Sequence, residues 1–381
     1  MLSMRDGNGR SQPGTRLKSV VILAQVPPPY HGQAVMQSHL VSSSWLWCVK
    51  KHVPLDFSDT IGDVGKFKIS KLFKLLSVIA SVFLERVRGP IDILFYPPCG
   101  PHRIPFWRDM AILLFVRMTA RTTILQFHAG GFDRLPEKLS TLERWLAVKA
   151  YGNADTAIVL LPSLANETEW VHPKRVIAVP NGIEDRCGVL PSRENLVPNI
   201  LFVGSLSEKK GILDILRACS IMQKARVKFR FRIVGGFVSD AFNTQASVLR
   251  EQLGLEGLVE FAGEKHGEEK WSEYRSADIF CFPSVENENL PVVLLEAMQW
   301  GLPIVASRWR AIPDLVKQAE NGLLCVPGDA IDLAAQLRTL IADPQLRLSS
   351  GKNGRTCYET HYSLEAHLKA LETAFRETVD A

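Results

Sequence analysis

Short apolar runs alternate with amphipathic stretches along almost the whole chain, and this alternation predicts parallel β-strands connected by helices. In the first half, the predicted strands are 19–25, 91–95, 122–127, 156–160 and 176–179. In the second half, they are 199–203, 229–234, 259–261, 279–282, 303–306 and 323–326. The two series predict an α/β protein with two Rossmann-like domains, in which a ligand binds beyond the carboxyl ends of the strands.

Segment 185–198 separates the two series and contains proline, glycine and charged residues without an apolar period. We interpret it as the linker, which predicts a first domain over 1–185 and a second domain over 186–361. The remaining segment, 362–381, is amphipathic and predicts a C-terminal helix. Segment 1–18 is polar and rich in glycine, lacks the apolar core of a signal peptide, and is predicted to be disordered.

Composition narrows the function classes. The 381 residues are enough for two cores, and 22% charged with 46% hydrophobic residues is ordinary for a globular protein. The net charge of +5 is too small to indicate a nucleic-acid partner. The seven cysteines form no C-x-x-C pair or zinc spacing, and no unbroken apolar window reaches about 18 residues. We therefore expect a cytoplasmic protein without a membrane-spanning helix, either free or bound at the inner face of the membrane.

The strongest chemical signal is the segment PSVENENLPVVLLEAMQWGLP, 283–303. Pro291 suits the first turn of a helix, and the run 291–300 predicts that helix. The start of a helix offers unpaired N–H groups and a partial positive charge, which suit a phosphate. Glu288 precedes the helix and Glu296 follows within it, so the two carboxylates can hold hydroxyls on both sides of a bound phosphate. That pattern indicates a nucleotide sugar.

The same segment, with E-x7-E in the setting PS-x3-E-N-L-P-x4-E-A-M-x2-G-x-P, resembles the signature of the family 4 glycosyltransferases, also called glycosyl transferases group 1. The resemblance implies the GT-B fold: two facing Rossmann-like domains with a deep interdomain cleft, and a C-terminal helix that crosses back to the first domain. It also implies a retaining, metal-independent reaction with no cofactor besides the nucleotide-sugar donor. Glu296 would bind ribose, while Glu288 and the backbone of Asn289, Leu290 and Pro291 would orient the donor sugar and phosphate.

A second element, NILFVGSLSEKKG, begins with a predicted strand and is similar to the family pattern G-R-x4-K-G. Small residues at Gly204 and Ser205 let phosphates approach the backbone, and Lys210 supplies a charge against a diphosphate. Ser205 stands where many relatives carry arginine, and Lys209 is a candidate to compensate. The alternative interpretation is a solvated basic turn.

In the first half, QFHAGGF places His128 at the end of a predicted strand. The resemblance implies that this histidine lies beside the donor sugar and contributes to catalysis, once the domains close, without acting as a conventional base. The stretch VPPPYHGQAV looks like the family's first β–α loop, which implies that Gly32 borders the donor phosphate. A structural histidine and an ordinary turn are the alternatives.

Segment 64–88 combines Lys68, Lys71 and Lys74 with apolar residues at helical spacing. A basic amphipathic helix can lie on anionic lipid, whereas the alternative is a helix packed on the first sheet.

Together these features predict a metal-independent, retaining glycosyltransferase of the hexosyltransferase type. It would transfer a sugar from a nucleoside diphosphate to a hydroxyl of a saccharide or lipid-linked acceptor, in polysaccharide or glycolipid biosynthesis. The chain contains no D-x-D motif of the kind that holds a metal at a diphosphate. A GT-B sugar-nucleotide epimerase and a non-catalytic nucleotide-sugar-binding protein are the alternatives, the latter favoured by Ser205.

Overall fold

The computed structural model describes residues 16–28, 32–57, 69–100, 103–128, 130–193, 195 and 197–380. Contacts between Cα atoms divide the chain into two compact units. The first, here called the first domain, contains the described residues up to Val159 together with Ala165–Val179 and those from Leu368 onward. The second domain contains Leu160–Leu164 and Pro180–His367.

The first domain is built on one six-stranded parallel sheet with the order β2-β1-β3-β4-β5-β6. Its strands are β1 (Lys18–Ala24), β2 (Cys48–Pro54), β3 (Ile91–Tyr96), β4 (Ala120–Phe127), β5 (Thr156–Val159) and β6 (Val176–Ala178). Its α-helices are α1 (Gly32–Ser42), α2 (Ile69–Arg88), α3 (Arg103–Val116) and α4 (Thr141–Tyr151).

Both faces of this sheet are covered, because alternate residues of a strand point to opposite faces. Val21 and Leu23 of β1 belong to the apolar cluster beneath α2, α3 and α4. Val20 and Ile22 belong to the opposite cluster. That second cluster also contains Phe375 of the C-terminal helix, α12 (Leu364–Asp380), so the later turns of this helix pack on the first sheet.

The second domain has a six-stranded parallel sheet with the order β12-β11-β10-β7-β8-β9. Its strands are β7 (Asn199–Val203), β8 (Arg230–Val234), β9 (Val259–Phe261), β10 (Ile279–Phe282), β11 (Ile304–Ser307) and β12 (Gly322–Cys325). Its helices are α5 (Ile212–Lys224), α6 (Asp240–Gln252), α7 (Gly267–Ser276), α8 (Val292–Gln299), α9 (Ile312–Leu315), α10 (Ala330–Ala342) and α11 (Pro344–Cys357). The two parallel sheets with their helices confirm the predicted α/β fold.

The predicted linker is held against the second domain. Asp185 accepts hydrogen bonds from Arg355, and the Arg193 guanidinium donates to the Trp300 carbonyl at 2.6 Å. The Asn195 side-chain amide donates a hydrogen bond to Asp278 Oδ2 at 3.0 Å. The contact division begins the main segment of the second domain at Pro180. In this segment, the Ile183 carbonyl accepts from the Tyr358 hydroxyl at 2.9 Å, and the Glu184 carbonyl accepts from Gln299 Nε2 at 2.7 Å.

The structure differs from the sequence predictions at the N-terminus and at β2. Residues 1–15, within the predicted disordered segment, lie outside the described residues, whereas Lys18 begins β1. The sequence interpretation missed β2, because its residues CVKKHVP lack an apolar run. As an edge strand that pairs only with β1 within its sheet, β2 keeps lysines at its centre half-buried.

Candidate active site

The second sheet reverses its strand order between β7 and β10, which pair directly. At such a point, the loops that leave the carboxyl ends of neighbouring strands diverge and open a crevice. Loop 204–211 follows β7 and loop 283–291 follows β10, so both predicted donor-binding segments lie at this crevice.

Backbone contacts hold these two loops together. The Val285 N–H donates to the Lys209 carbonyl at 2.8 Å. Gly211 has a φ of +78°, and a Cβ at this position would lie 2.6 Å from the Pro283 carbonyl oxygen. A side chain at 211 would therefore push the loops apart, which explains why glycine follows Lys210 here.

The turn after β8 joins the same surface. The Gly204 N–H donates to the Val234 carbonyl at 3.0 Å, and the Leu206 N–H donates to the Gly236 carbonyl at 2.8 Å. Gly235 has a φ of +145°, and a Cβ there would lie 1.8 Å from the Gly204 carbonyl oxygen. The loops after β7, β8 and β10 thus form a continuous backbone floor at the carboxyl edge of the sheet.

Lys210 and Glu288 meet on this floor, although 78 residues separate them in the sequence. The Lys210 ammonium group donates to Glu288 Oε1 and lies 5.6 Å from the centre of the Phe282 ring. Their side chains are only 16% and 20% exposed. The structure therefore brings together the cation predicted for the phosphate and the carboxylate predicted for the sugar.

Glu296 lies within α8 and is 6% exposed. Lys270 Nζ donates to its Oε1 at 2.6 Å, and the Tyr274 hydroxyl donates to its Oε2 at 2.7 Å. Burial and the adjacent carboxylate raise the pKa of Tyr274 well above its usual value, so its hydroxyl stays protonated and remains a donor. Each carboxylate oxygen of Glu296, the residue predicted to bind ribose, thus already accepts one hydrogen bond.

The sequence interpretation missed Lys270 and Tyr274. They are four residues apart on α7, a spacing that places two side chains on one side of a helix. That spacing was the available signal, but nothing local connects it with Glu296.

The start of α8 agrees with the predicted helix start. Pro291 precedes Val292 as the N-cap with a φ of −68°, and Asn289, Leu290 and Pro291 are buried. The Trp309 indole N–H donates to the Glu286 carbonyl at 3.1 Å, which fixes the loop that leads into the helix. Ser205 is exposed on the neighbouring loop after β7.

His128 of the first domain follows β4 directly, at the carboxyl edge of that sheet. Its Nε2 lies 3.2 Å from Gln37 Nε2 of α1, and the same amide of Gln37 donates to Gln126 at 3.2 Å. The following glycine turn is held by the buried carboxylate of Glu167, which accepts from the Gly131 N–H at 3.0 Å. Gln37 and Glu167 were not predicted from the sequence.

Gly32 begins α1 and is exposed. A Cβ at this position would meet no atom within 4 Å, so packing in this domain does not require glycine there. Residues 29–31 of the same loop lie outside the described residues.

Residues 193–356 match the sequence profile of the family described as glycosyl transferases group 1. The matched range contains the Lys210 loop, Glu288 and Glu296. Within its second domain, the chain is similar to this family. The match confirms the family resemblance predicted from the sequence, and the floor that carries Lys210 and Glu288 lies within the matched range.

Curated relatives match part of this chain. The chain is 36% identical over 143 residues to the putative colanic acid biosynthesis glycosyltransferase WcaL of Escherichia coli, covering 36% of this chain and 34% of WcaL. It is 35% identical over 180 residues to the amylovoran biosynthesis glycosyltransferase AmsK of Erwinia amylovora, covering 44% of this chain and 42% of AmsK. The chain thus spans less than half the length of these relatives.

A solved structure resembles the whole chain. Anabaena Alr3699/HepE, crystallised with UDP, aligns with a TM-score of 0.70 at 15% identity and covers 95% of this chain and 100% of HepE. At that identity, the likeness concerns the fold, which agrees with the two Rossmann-like domains described above.

The described residues contain neither a cluster of metal-binding side chains nor a membrane-spanning helix. No group of three or more His, Cys, Asp or Glu in this part of the chain is placed to hold a metal ion. None of its helices is both long enough and apolar enough to cross a bilayer.

Proposed function

We propose that this protein is a group 1 glycosyltransferase that transfers a sugar from a nucleoside diphosphate sugar to a hydroxyl of a saccharide or lipid-linked acceptor. The observation that carries the proposal is the meeting of Lys210, Glu288 and the start of α8 at the β7–β10 crevice. The names of WcaL and AmsK, which refer to polysaccharide biosynthesis, support a role in polysaccharide or glycolipid synthesis. The UDP bound to HepE supports a nucleotide donor.

The ion pair suggests how donor binding organises the site. The diphosphate binds at the start of α8, where helix N–H groups and the helix dipole favour an anion. It then competes with Glu288 for the Lys210 ammonium group, which is compact and can turn on its flexible stem. Once Lys210 faces the phosphates, the Glu288 carboxylate can accept a hydrogen bond from the donor sugar. Lys210 also stabilises the charge that develops on the leaving diphosphate.

Glu296 is proposed to bind the ribose hydroxyls. An ionised carboxylate offers about four acceptor sites on its two oxygens, so each oxygen can accept a second hydrogen bond. Lys270 and Tyr274 hold the carboxylate in one orientation before the nucleotide arrives. The ribose therefore meets an acceptor that is already positioned, which lowers the entropy cost of binding.

Other parts of the site complete the proposal. Ser205, Gly204 and the backbone of Asn289, Leu290 and Pro291 line the path of the donor. In the first domain, Gly32 borders the donor phosphate, and His128 contributes to catalysis with its ring oriented by Gln37. Within its own domain, a larger residue could replace Gly32 without a clash. The role proposed for Gly32 therefore concerns the donor phosphate and not the packing of the domain.

We further assign the reaction to the retaining, metal-independent chemistry of family 4, on the strength of the E-x7-E pattern and the Lys210 cation. Added EDTA should leave turnover unchanged, because cationic and helix N–H groups meet the diphosphate. Loss of turnover in EDTA that added magnesium or manganese restores would contradict this assignment. Determining the anomeric configuration of the product by NMR tests retention.

The exposed Ser205 favours one second candidate, a nucleotide-sugar-binding protein without transfer activity, because it stands where many members of the family that the sequence resembles carry arginine. A thermal-shift screen of UDP-, GDP- and ADP-sugars identifies the donor, since a ligand that binds the folded state raises its apparent stability. The selected donor is then incubated with and without saccharide acceptors. A glycosylated acceptor supports transferase activity, an altered sugar nucleotide indicates an epimerase, and binding without any product indicates the non-catalytic candidate.

The reaction is proposed to take place in the cytoplasm. All seven cysteines are free thiols in the structure, which suits a reducing compartment.

A further inference from the structure

Helix α2 has two apolar sides. Val78 and Val82 are 7% and 0% exposed and belong to the core beneath the helix. A second set faces solvent and is here called the apolar arc: Leu72 at 49%, Phe73 at 69%, Leu76 at 55%, Phe83 at 39%, Leu84 at 50% and Val87 at 84% exposed. At about 3.6 residues per turn these six residues share one side of the helix, and the charged residues of α2 lie on its other sides.

This arrangement corrects the basis of the membrane interpretation drawn from the sequence. Lys68 lies outside the described residues, and Lys71 and Lys74 are half-buried. Lys74 Nζ donates to the Asp56 carbonyl at 2.6 Å. Lys71 and Lys74 therefore lie outside the apolar arc, and the side of the helix that faces solvent is apolar.

The two helices beside α2 continue this surface. α3 packs against both α2 and α4. Trp107 and Phe115 of α3 are 42% and 54% exposed, and Trp145 of α4 is 57% exposed. Tryptophan is favoured at the boundary between lipid and water, because it combines a large apolar ring with one N–H donor. Exposed apolar residues on three neighbouring helices mark an interaction surface rather than scattered exposure.

Charge distinguishes among the partners that could cover this surface. Each of the three helices has one carboxylate, and each carboxylate is bound by another side chain of the protein. Glu85 pairs with Lys51 at 2.5 Å, Asp109 is buried and accepts from the Tyr96 hydroxyl at 2.7 Å, and Glu143 pairs with Arg103 at 2.9 Å. The exposed cations of the same helices are Arg86, Arg88, Arg103, Arg144 and Lys149.

A cavity of about 430 Å³ at the ends of α3 and α4 adds a basic recess to this surface. Its carboxylate, Asp155, is bound by Lys174 Nζ at 2.8 Å and by the Thr123 N–H at 2.7 Å. Beside it stands Met118, which is 77% exposed. The cations that line the recess are Arg117, Arg121, Lys149 and Lys174. An apolar surface bordered by cations complements a bilayer of anionic lipid, whose tails accept the apolar side chains and whose phosphates meet the cations.

We propose that α2, α3 and α4 of the first domain dock on the surface of an anionic bilayer, with the apolar arc inserted among the lipids. The proposal does not depend on glycosyl transfer, because binding to lipid requires no donor. Trp107 and Trp145 would lie at the level of the headgroups.

The test is sedimentation of the full-length protein with vesicles of phosphatidylcholine mixed with phosphatidylglycerol. The variant Phe73→Ser/Leu76→Ser/Val87→Ser should bind these vesicles about tenfold or more weakly, since each buried apolar group contributes to partitioning. The matched control is Val248→Ser/Ile331→Ser/Leu348→Ser, which removes three residues of the second domain that are 44%, 72% and 63% exposed. The control should bind like the unaltered protein, and circular dichroism confirms that both variants are folded.

Three results would overturn the proposal. The first is absence of binding by the unaltered protein, and the second is equal binding by the arc variant and the unaltered protein. The third is a dimer in size-exclusion chromatography that the arc variant dissociates, because the arc would then be covered by a second copy of the chain. A blue shift of tryptophan fluorescence on vesicle addition that Trp107→Phe/Trp145→Phe abolishes would support the proposal. Lys71→Gln/Lys74→Gln separates insertion from a lysine-driven contact: if only that variant loses binding, the arc is not the docking element.

Discussion

Replacing Glu296 tests whether this carboxylate has both a structural and a ligand-binding role. Glu296→Ala removes the acceptor of Lys270 Nζ at 2.6 Å and of the Tyr274 hydroxyl at 2.7 Å. A hydrogen bond to a charged group contributes about 1.5–3 kcal/mol, and a buried donor left without an acceptor costs about 1–3 kcal/mol. Lys270 is 22% exposed and can be hydrated, so most of the loss arises at Tyr274, which is fully buried.

We therefore expect the free energy of unfolding of the second domain to fall by about 3 kcal/mol. For a domain of this size, that corresponds to a decrease in Tm of roughly 6–12 °C. Glu296→Gln is the matched variant, because its amide oxygen still accepts from Tyr274 while the ion pair with Lys270 is lost. It should recover at least half of the lost stability.

Donor affinity is measured separately, by isothermal titration calorimetry at a temperature where each variant is folded. Glu296→Ala should weaken donor binding about tenfold or more, since one charge-assisted hydrogen bond to the ribose is lost. A Tm equal to that of the unaltered protein would refute the structural network. Unchanged donor affinity in a folded Glu296→Ala variant would refute the ribose role.

Two further substitutions test the floor of the site. Ser205→Arg should strengthen donor binding about tenfold by adding a cation to the phosphate loop. The control Thr244→Arg adds the same charge at an exposed position of α6 and should leave donor binding unchanged. Equal effects of the two variants would show that only net charge matters. Gly235→Ala should lower the free energy of unfolding by more than about 3 kcal/mol, because its Cβ would lie 1.8 Å from the Gly204 carbonyl oxygen. Gly254→Ala, at a φ of +64° with no atom within 4 Å of its Cβ, should cost only about 1–2 kcal/mol in urea denaturation; similar losses in the two variants would contradict the close contact.

The strands of the second domain were largely predictable. The predicted bounds of β7, β9 and β10 agree with the structure, and the predicted helix 291–300 differs from α8 only in its two cap residues. Local patterns predict these elements. Short apolar runs between polar residues predict the buried strands, and proline before an apolar period predicts the helix. β2 was missed because an edge strand does not need such a run.

The partners of the site residues were not predictable. Lys210 and Glu288 are brought together only because the strand order places β7 beside β10, and no local pattern specifies that order. The same holds for Lys270 and Tyr274, which reach Glu296 from a different helix.

Helix α2 also shows the difference between what the sequence specifies and what the tertiary structure specifies. Its sequence determined an amphipathic helix with lysines at short spacing, and the motifs of the second half determined the family resemblance and the residue types of the candidate site. The tertiary structure decided which side of α2 is buried, and it left the apolar arc facing outward, with Lys71 and Lys74 outside the arc. The physical reason is that a periodic pattern specifies the faces of an element, whereas the choice of the buried face depends on the sheet and helices that surround it.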